Sequence, residues 1–257
     1  MGENSKDVYA VLLEPSADVE TSRIARAMAP ALGKATMDLM MALRNRSGIL
    51  AESLSEEEAG RIAAGLQQAG VLFFIVKQNS LVDPPPVVEI REGRFTDEGY
   101  AFESRPQQVL APWDRILLLE CARVRYEVSK VRTELDVSYD TDGEGNTLRN
   151  WQGRQKRVQE PAWKVLLEVI CEDPWVRVRI DGSSYRFGKD GLPVHLNRHD
   201  NLLARAVVLR TRSERAAAGP GLEALLGGRP DAQVKLNGME CYENHIRWQL
   251  QMIYRQG

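Results

Sequence analysis

Histidine is nearly missing from this sequence, with three in 257 residues. Cysteine is as scarce. Cys121, Cys171 and Cys241 are odd in number and far apart, which argues against a disulfide frame and for reduced thiols in a cytoplasmic setting. Neither sign of charge dominates: 34 Lys and Arg face 36 Asp and Glu, for a formal net charge of -2. No overall field therefore draws in nucleic acid or an acidic membrane. No apolar run approaches the ~20 residues of a membrane-spanning helix. The early apolar stretch VYAVLL is too short for a secretory signal. Lys6 stands where a myristoylation pattern after Gly2 needs Ser or Thr. The glycines form no Walker loop, no G-x-G-x-x-G after a strand and no G-x-S-x-G elbow. Hydrolase chemistry has no visible carrier, although scattered carboxylates can still meet in space. No cofactor is implied.

What is present is a patterned, core-forming chain with 43 % hydrophobic residues, enough for one large or two modest domains. Val8–Leu13 is a continuous apolar run, as expected for a strand covered on both faces. Ile24, Ala27, Met28, Ala31 and Leu32 recur at helical spacing within 20–32, with Pro30 against the pattern. A second helix fits 35–46, with Met37, Met40, Met41 and Leu43 as its apolar residues. After Gly48, residues 49–54 read as a strand. Ser55 and Glu58 then form an S-x-x-E capping box. Ile62, Leu66 and Ala69 make a buried stripe, and Gly70 stands where a left-handed cap is expected. Val71–Val76 is the next strand.

This order, with LSEEEAGRIAAGLQQAGVLFFIVK, resembles the C-terminal domain of the bacterial ribosomal stalk protein over residues 8–77. The resemblance implies a βααβαβ fold and a docking surface on the first two helices. Arg23, Arg26, Lys34, Met37, Met40 and Arg44 are the candidate partner-binding residues there. The Gly-Leu-rich, Lys-rich run of that family is missing, so its GTPase partners are not carried over.

Asp83-Pro84-Pro85-Pro86 marks a linker over 79–87. Beyond it the period becomes that of strands. Residues 88–91, 99–103, 108–111 and 116–119 read as short strands. The alternation over 122–139 slips by one near Ser129 and Lys130, which predicts a bulge or a break. Residues 163–171 fit a strand or a buried helix. WVRVRI (175–180) alternates cleanly, and 185–187 reads as a short partner strand. Helices are expected over 201–215 and 239–254, with Gly219-Pro220-Gly221 as an interruption between them. The expected class is α+β: a βααβαβ unit over 1–78, then a mainly antiparallel β region over 88–257 with C-terminal helices. That region has some look of a pleckstrin-homology-like barrel, and PWVRVRIDGSSYRF looks like a motif of uncharacterised bacterial proteins.

Four constellations have chemical potential. Asp140–Asn146 imitates the start of a calcium loop, but Trp151 occupies the position that needs a bidentate Glu, which leaves an acidic hairpin loop as the alternative. His195 with His199, and Cys241 with His245, are four apart and together supply four zinc ligands if they converge. Otherwise His199 starts a helix and His245 lies on a polar side. Arg149, Arg154, Lys156 and Arg157 near Trp151 have the ingredients of a single-strand nucleic-acid grip, or of a solvated loop that orders against a partner. Arg123, Arg125, Arg177 and Arg179 either line an anion-binding sheet face or form the wet side of a half-buried sheet. The leading expectation is a cytoplasmic, non-enzymatic adaptor that binds another protein or itself. A small-ligand or anion-binding module in the second region comes second and a zinc protein or enzyme third.

Overall fold

The computed structural model describes residues 7–256 apart from 16, 18, 45, 105–106, 142–146 and 230–233. The first six elements follow in the expected order: β1 (Tyr9–Leu13), α1 (Thr21–Leu32), α2 (Thr36–Leu43), β2 (Ile49–Leu54), α3 (Glu56–Gln68) and β3 (Phe73–Lys77). β1 is central and antiparallel to both neighbours. Its run is continuously apolar because both faces are buried. Val11 shares a core with Ile24 and Met28 of α1 and Ile62 and Leu66 of α3, whereas Ala10 and Leu12 share one with Trp248 and Met252.

Local chemistry fixes the helix ends. Ser55 Oγ accepts from the Glu58 amide at 3.2 Å, and a Glu58 carboxylate oxygen accepts from the Ser55 amide at 2.9 Å. Gly70, at φ +63°, closes α3 while the Val71 amide reaches back to the Leu66 carbonyl. Pro30 is tolerated because it sits in the last turn of α1, just before Gly33 at φ +59°. The face of α2 differs from expectation. Leu39 and Leu43 are its buried residues, and Met40 is partly buried against the same core. Met37 and Met41 turn outward, 63 % and 56 % exposed.

The rest of the chain adds β4 (Val87–Ile90), β5 (Gly93–Phe95), β6 (Gly99–Ser104), β7 (Gln107–Pro112), β8 (Ile116–Thr141), β9 (Thr147–Cys171), β10 (Val176–Asp181), α4 (Arg198–Arg212), β11 (Ala217–Ala218), α5 (Pro220–Leu226), β12 (Val234–Leu236) and α6 (Met239–Gln256). β5, β6 and β7 form their own antiparallel sheet. The larger sheet runs β11-β8-β9-β10-β4, with β12 also on β8. β8 with β9 and β9 with β10 are antiparallel, while β4 joins β10 in parallel. The α+β class with a mainly antiparallel sheet and C-terminal helices holds.

Alternation sends Leu119, Cys121, Leu167, Val169 and Val178 to the face covered by α4 and α5. Leu118, Ala122, Val124, Leu166 and Ile170 go to the opposite face, against Tyr242, Ile246 and Leu250 of α6. α6 also supplies the second cover of the N-terminal sheet, where Trp248 Nε1 donates to the Leu13 carbonyl at 2.8 Å. Gly48 lies against the Trp248 ring so closely that a Cβ there would sit 2.1 Å from it. The Pro-rich linker is tied to the same helix. Leu81 is buried, the Val82 amide donates to Gln251 at 3.0 Å, and Asp83 pairs with Arg247 at 2.8 Å.

Three sequence expectations change. Residues 163–171 are strand, part of β9. Residues 185–187 are not a strand: Asp181 accepts from the Ser183 amide at 2.8 Å, the chain turns, and the Tyr185 ring packs into the core. There is neither a bulge nor a break near Ser129. The register runs unbroken from Leu118↔Ile170 to Thr141↔Thr147. The phase of apolar residues slips there because β8 and β9 leave the sheet. Beyond Val124 and Val165, no third strand joins them among the described residues. The result is a two-stranded arm, 125–141 paired with 147–163. At about 3.3 Å per residue it reaches roughly 55 Å. With no core to face, nothing enforces one apolar phase along it.

Candidate functional site

The arginines of WVRVRI alternate because β10 does, but the face they share is dry. Arg177 and Arg179 are 1 % and 4 % exposed. α6 covers that face and brings Glu243 and Tyr242 over them. Glu168, fully buried, accepts from Arg177 Nε at 2.8 Å and Nη2 at 3.2 Å, and also from Arg179 Nε. Glu243 closes the cluster, bonded to Arg177 Nη1 and, at 2.7 Å, to Arg179 Nη2. Both guanidiniums lie over the Tyr242 ring, 5.9 and 5.2 Å from its centroid. Two cations meet two carboxylates, so no charge remains for an outside anion. This corrects both expectations for Arg177 and Arg179. Arg123 and Arg125 are on the opposite face of the sheet, one partly buried and one exposed, so the four arginines do not form one surface.

Burial tends to raise the pKa of Glu243, but Arg177 and Arg179 outweigh it and hold the carboxyl below its ordinary value. A depressed folded value means that this contribution is present above the unfolded Glu pKa, about 4.3, and is lost as acid titrates the folded group. Glu243→Gln should therefore flatten part of the fall in melting temperature below about pH 4.3, in scans over a pH series. An unchanged slope would contradict the assignment.

Next to this cluster, on the same face, Glu120 lies directly across from Glu168 in the register. One Glu120 oxygen accepts from the amides of Cys121, Gly221 and Leu222 at 2.7, 3.0 and 3.2 Å. The other meets His245 Nε2 at 2.9 Å, and His245 Nδ1 meets Ser47 Oγ at 3.1 Å. The row has the residue types of a nucleophile, base and carboxylate. However, the imidazole and carboxylate are sealed, at 2 % and 0 % exposure, and Glu120 is spent holding the start of α5. The row tethers Ser47 to α6 and the sheet. Gly219 and Gly221 are required here: a Cβ on either would fall 2.0 Å from Glu120 or 1.7 Å from the Cys121 carbonyl.

The zinc expectation fails on topology. His195 and His199 flank the start of α4, on one face of the sheet, and Cys241 and His245 belong to α6 on the other. Among the described residues no three His, Cys, Asp or Glu side chains gather as a metal site. Burial raises all three thiols, Cys171 to about 11. They stay protonated at neutral pH and lack the thiolate that chemistry requires. The calcium-like loop, 142–146, lies outside the described residues, although the strands beside it pair with each other.

A second buried network was not visible in the sequence. Arg205 grips Asp190 with two bonds of 2.7 and 2.8 Å, both side chains fully buried. Tyr185 lies 3.4 Å from Asp190 and 3.0 Å from the Tyr100 hydroxyl. These groups are also satisfied internally.

The outer surface holds what remains. Arg23, Arg26, Lys34 and Arg44 are exposed on or beside α1 and α2 with Met37 and Met41, while Met40 is engaged in the core. A 440 Å³ groove between α1 and α3 is lined by Arg26, Arg61 and small residues. Arg154, Lys156 and Arg157 belong to the arm, not to a loop. One arm face carries Lys130, Arg132, Arg154 and Lys156. Glu160 pairs with Lys130 at 2.8 Å and with Arg132, and Lys156 lies 3.5 Å from Glu134.

No family model, no curated protein and no solved structure matches the chain. No helix among the described residues is long and apolar enough to cross a membrane.

Proposed function

We propose that this is a cytoplasmic, non-enzymatic adaptor that engages another protein, or a second copy of itself, through its arm and the α1–α2 surface. The observation that carries this reading is the arm. A two-stranded ribbon has no core of its own and is marginal in water until something covers it. Its outer edges offer two rows of backbone donors and acceptors, the standard means of adding a strand from a partner. Its mixed charges favour a protein partner over nucleic acid. The exposed methionines of α2 are adaptable packing groups, and the stalk-like order of residues 8–77 supports a docking role for the same helices. Among the described residues, the interior ion pairs and the protonated thiols are buried and serve the fold.

Lys130 and Lys156, both well exposed on the arm, allow a direct test. Amine cross-linking in native cells, followed by mass spectrometry, should join these two lysines to one defined chain. Cross-links confined to lysines off the arm would overturn the placement of the interface.

A further inference from the structure

The sheet face under α4 is longer than the helix that covers it. α4 begins at Arg198, and beyond its first turn the face continues to Trp163. The uncovered end forms a cavity of 190 Å³. Val165 and buried Leu202 are its apolar lining, Trp163 is a wall, and Arg198, His199 and Ser183 line it from the helix and the turn after β10. Trp163 is 41 % exposed, at the open end of a face that continues inward through partly buried Val165 to buried Leu167. The Arg123 guanidinium lies over its ring, 5.8 Å from the centroid. Arg125 stands directly across from Trp163 in the register.

The charges around this cavity are unbalanced. Arg198 uses one N–H on the Gly182 carbonyl, at 3.0 Å, of the five that a guanidinium offers. His199 and Arg125 are exposed. The carboxylates of Asp181 and Asp200 have other partners. Asp181 accepts from the Ser183 amide and hydroxyl at 2.8 and 2.6 Å and lies 3.6 Å from Lys164 Nζ. Asp200 is held by the Asn197 side chain at 2.6 Å. An open indole, an apolar floor and a cationic rim together select a flat ring that carries negative charge. The volume falls below the ~300–1,000 Å³ of drug-sized sites, so it suits one ring system with one anionic group.

We propose that this cavity binds a planar aromatic anion, with its ring stacked on Trp163 and its carboxylate or phosphate on Arg198 and His199. The site lies at the root of the arm, at the Arg125–Trp163 pair and away from Lys130 and Lys156, and its failure would leave the adaptor reading untouched.

Calorimetric titration of the full chain tests it with AMP and 2-naphthoate as phosphate and carboxylate probes. Adenosine and inorganic phosphate supply the ring alone and the anion alone. At least one probe should bind with one-to-one stoichiometry, and the separate halves should bind about tenfold or more weakly. Trp163→Leu and Arg198→Glu should each weaken the probe about tenfold, because stacking and charge contribute separately. Arg212→Glu, which removes a similar cation from over Trp113, should leave affinity unchanged. No saturable binding of either probe at millimolar concentration would overturn the proposal. So would binding that both cavity variants retain, or that Arg212→Glu weakens equally.

Discussion

Glu168→Ala should cost about 3–5 kcal/mol in denaturant unfolding, because it leaves two buried guanidiniums facing each other without their shared carboxylate. Glu243 cannot compensate, since its side chain is 41 % exposed and reaches the arginines from the rim. Replacing the cluster by apolar residues of similar volume, Glu168→Leu with Arg177→Met, Arg179→Met and Glu243→Met, should behave differently. The desolvation cost of every charge is then removed together, and stability should stay level or rise by about 1–4 kcal/mol. A small loss for Glu168→Ala would mean that water reaches the cluster, which would reopen it as an anion site.

Arg205→Met should be comparably damaging, at about 3–5 kcal/mol, because it strands Asp190 in the core. Arg205 also donates to the Pro193 carbonyl at 3.0 Å and to Asn201 at 3.2 Å, so the 188–197 loop should loosen as well. Hydrogen exchange in that loop would report the loosening separately from the global loss. The exposed Arg61–Glu57 pair offers the contrast: solvent screens it, and Arg61→Ala should leave the unfolding midpoint unchanged.

The N-terminal third was legible because its signals are local. A capping box, a left-handed glycine and short stripes each act within one turn of chain, and Ser55, Glu58 and Gly70 do what their spacing implies. Alternation in WVRVRI correctly places Arg177 and Arg179 together. It does not say whether water or a helix covers them, and Glu243 of the covering helix lies 66 and 64 residues after Arg177 and Arg179. The row from Ser47 through His245 to Glu120 joins residues 198 and 125 apart, with no shared motif. Gly219-Pro220-Gly221 reads as an interruption. In the fold it starts α5, with proline in the first turn and glycines where β8 leaves no room for a Cβ. The arm was hidden for the opposite reason. Its backbone pairs only with itself, so no buried face imposes a pattern on its side chains, and charged residues spaced along it resemble a loop.

The account separates a sealed charged interior, which holds the fold, from an exposed arm, which makes contacts. The most direct test replaces residues 130–158 by Asn-Gly, which closes the Ser129–Gln159 pair with a tight turn. Melting temperature and cross-linked partners are then measured side by side with the full-length protein. The expected result is an unchanged melting temperature with loss of the partner joined to Lys130 and Lys156. A shortened protein that melts normally and keeps the same partner would contradict the account.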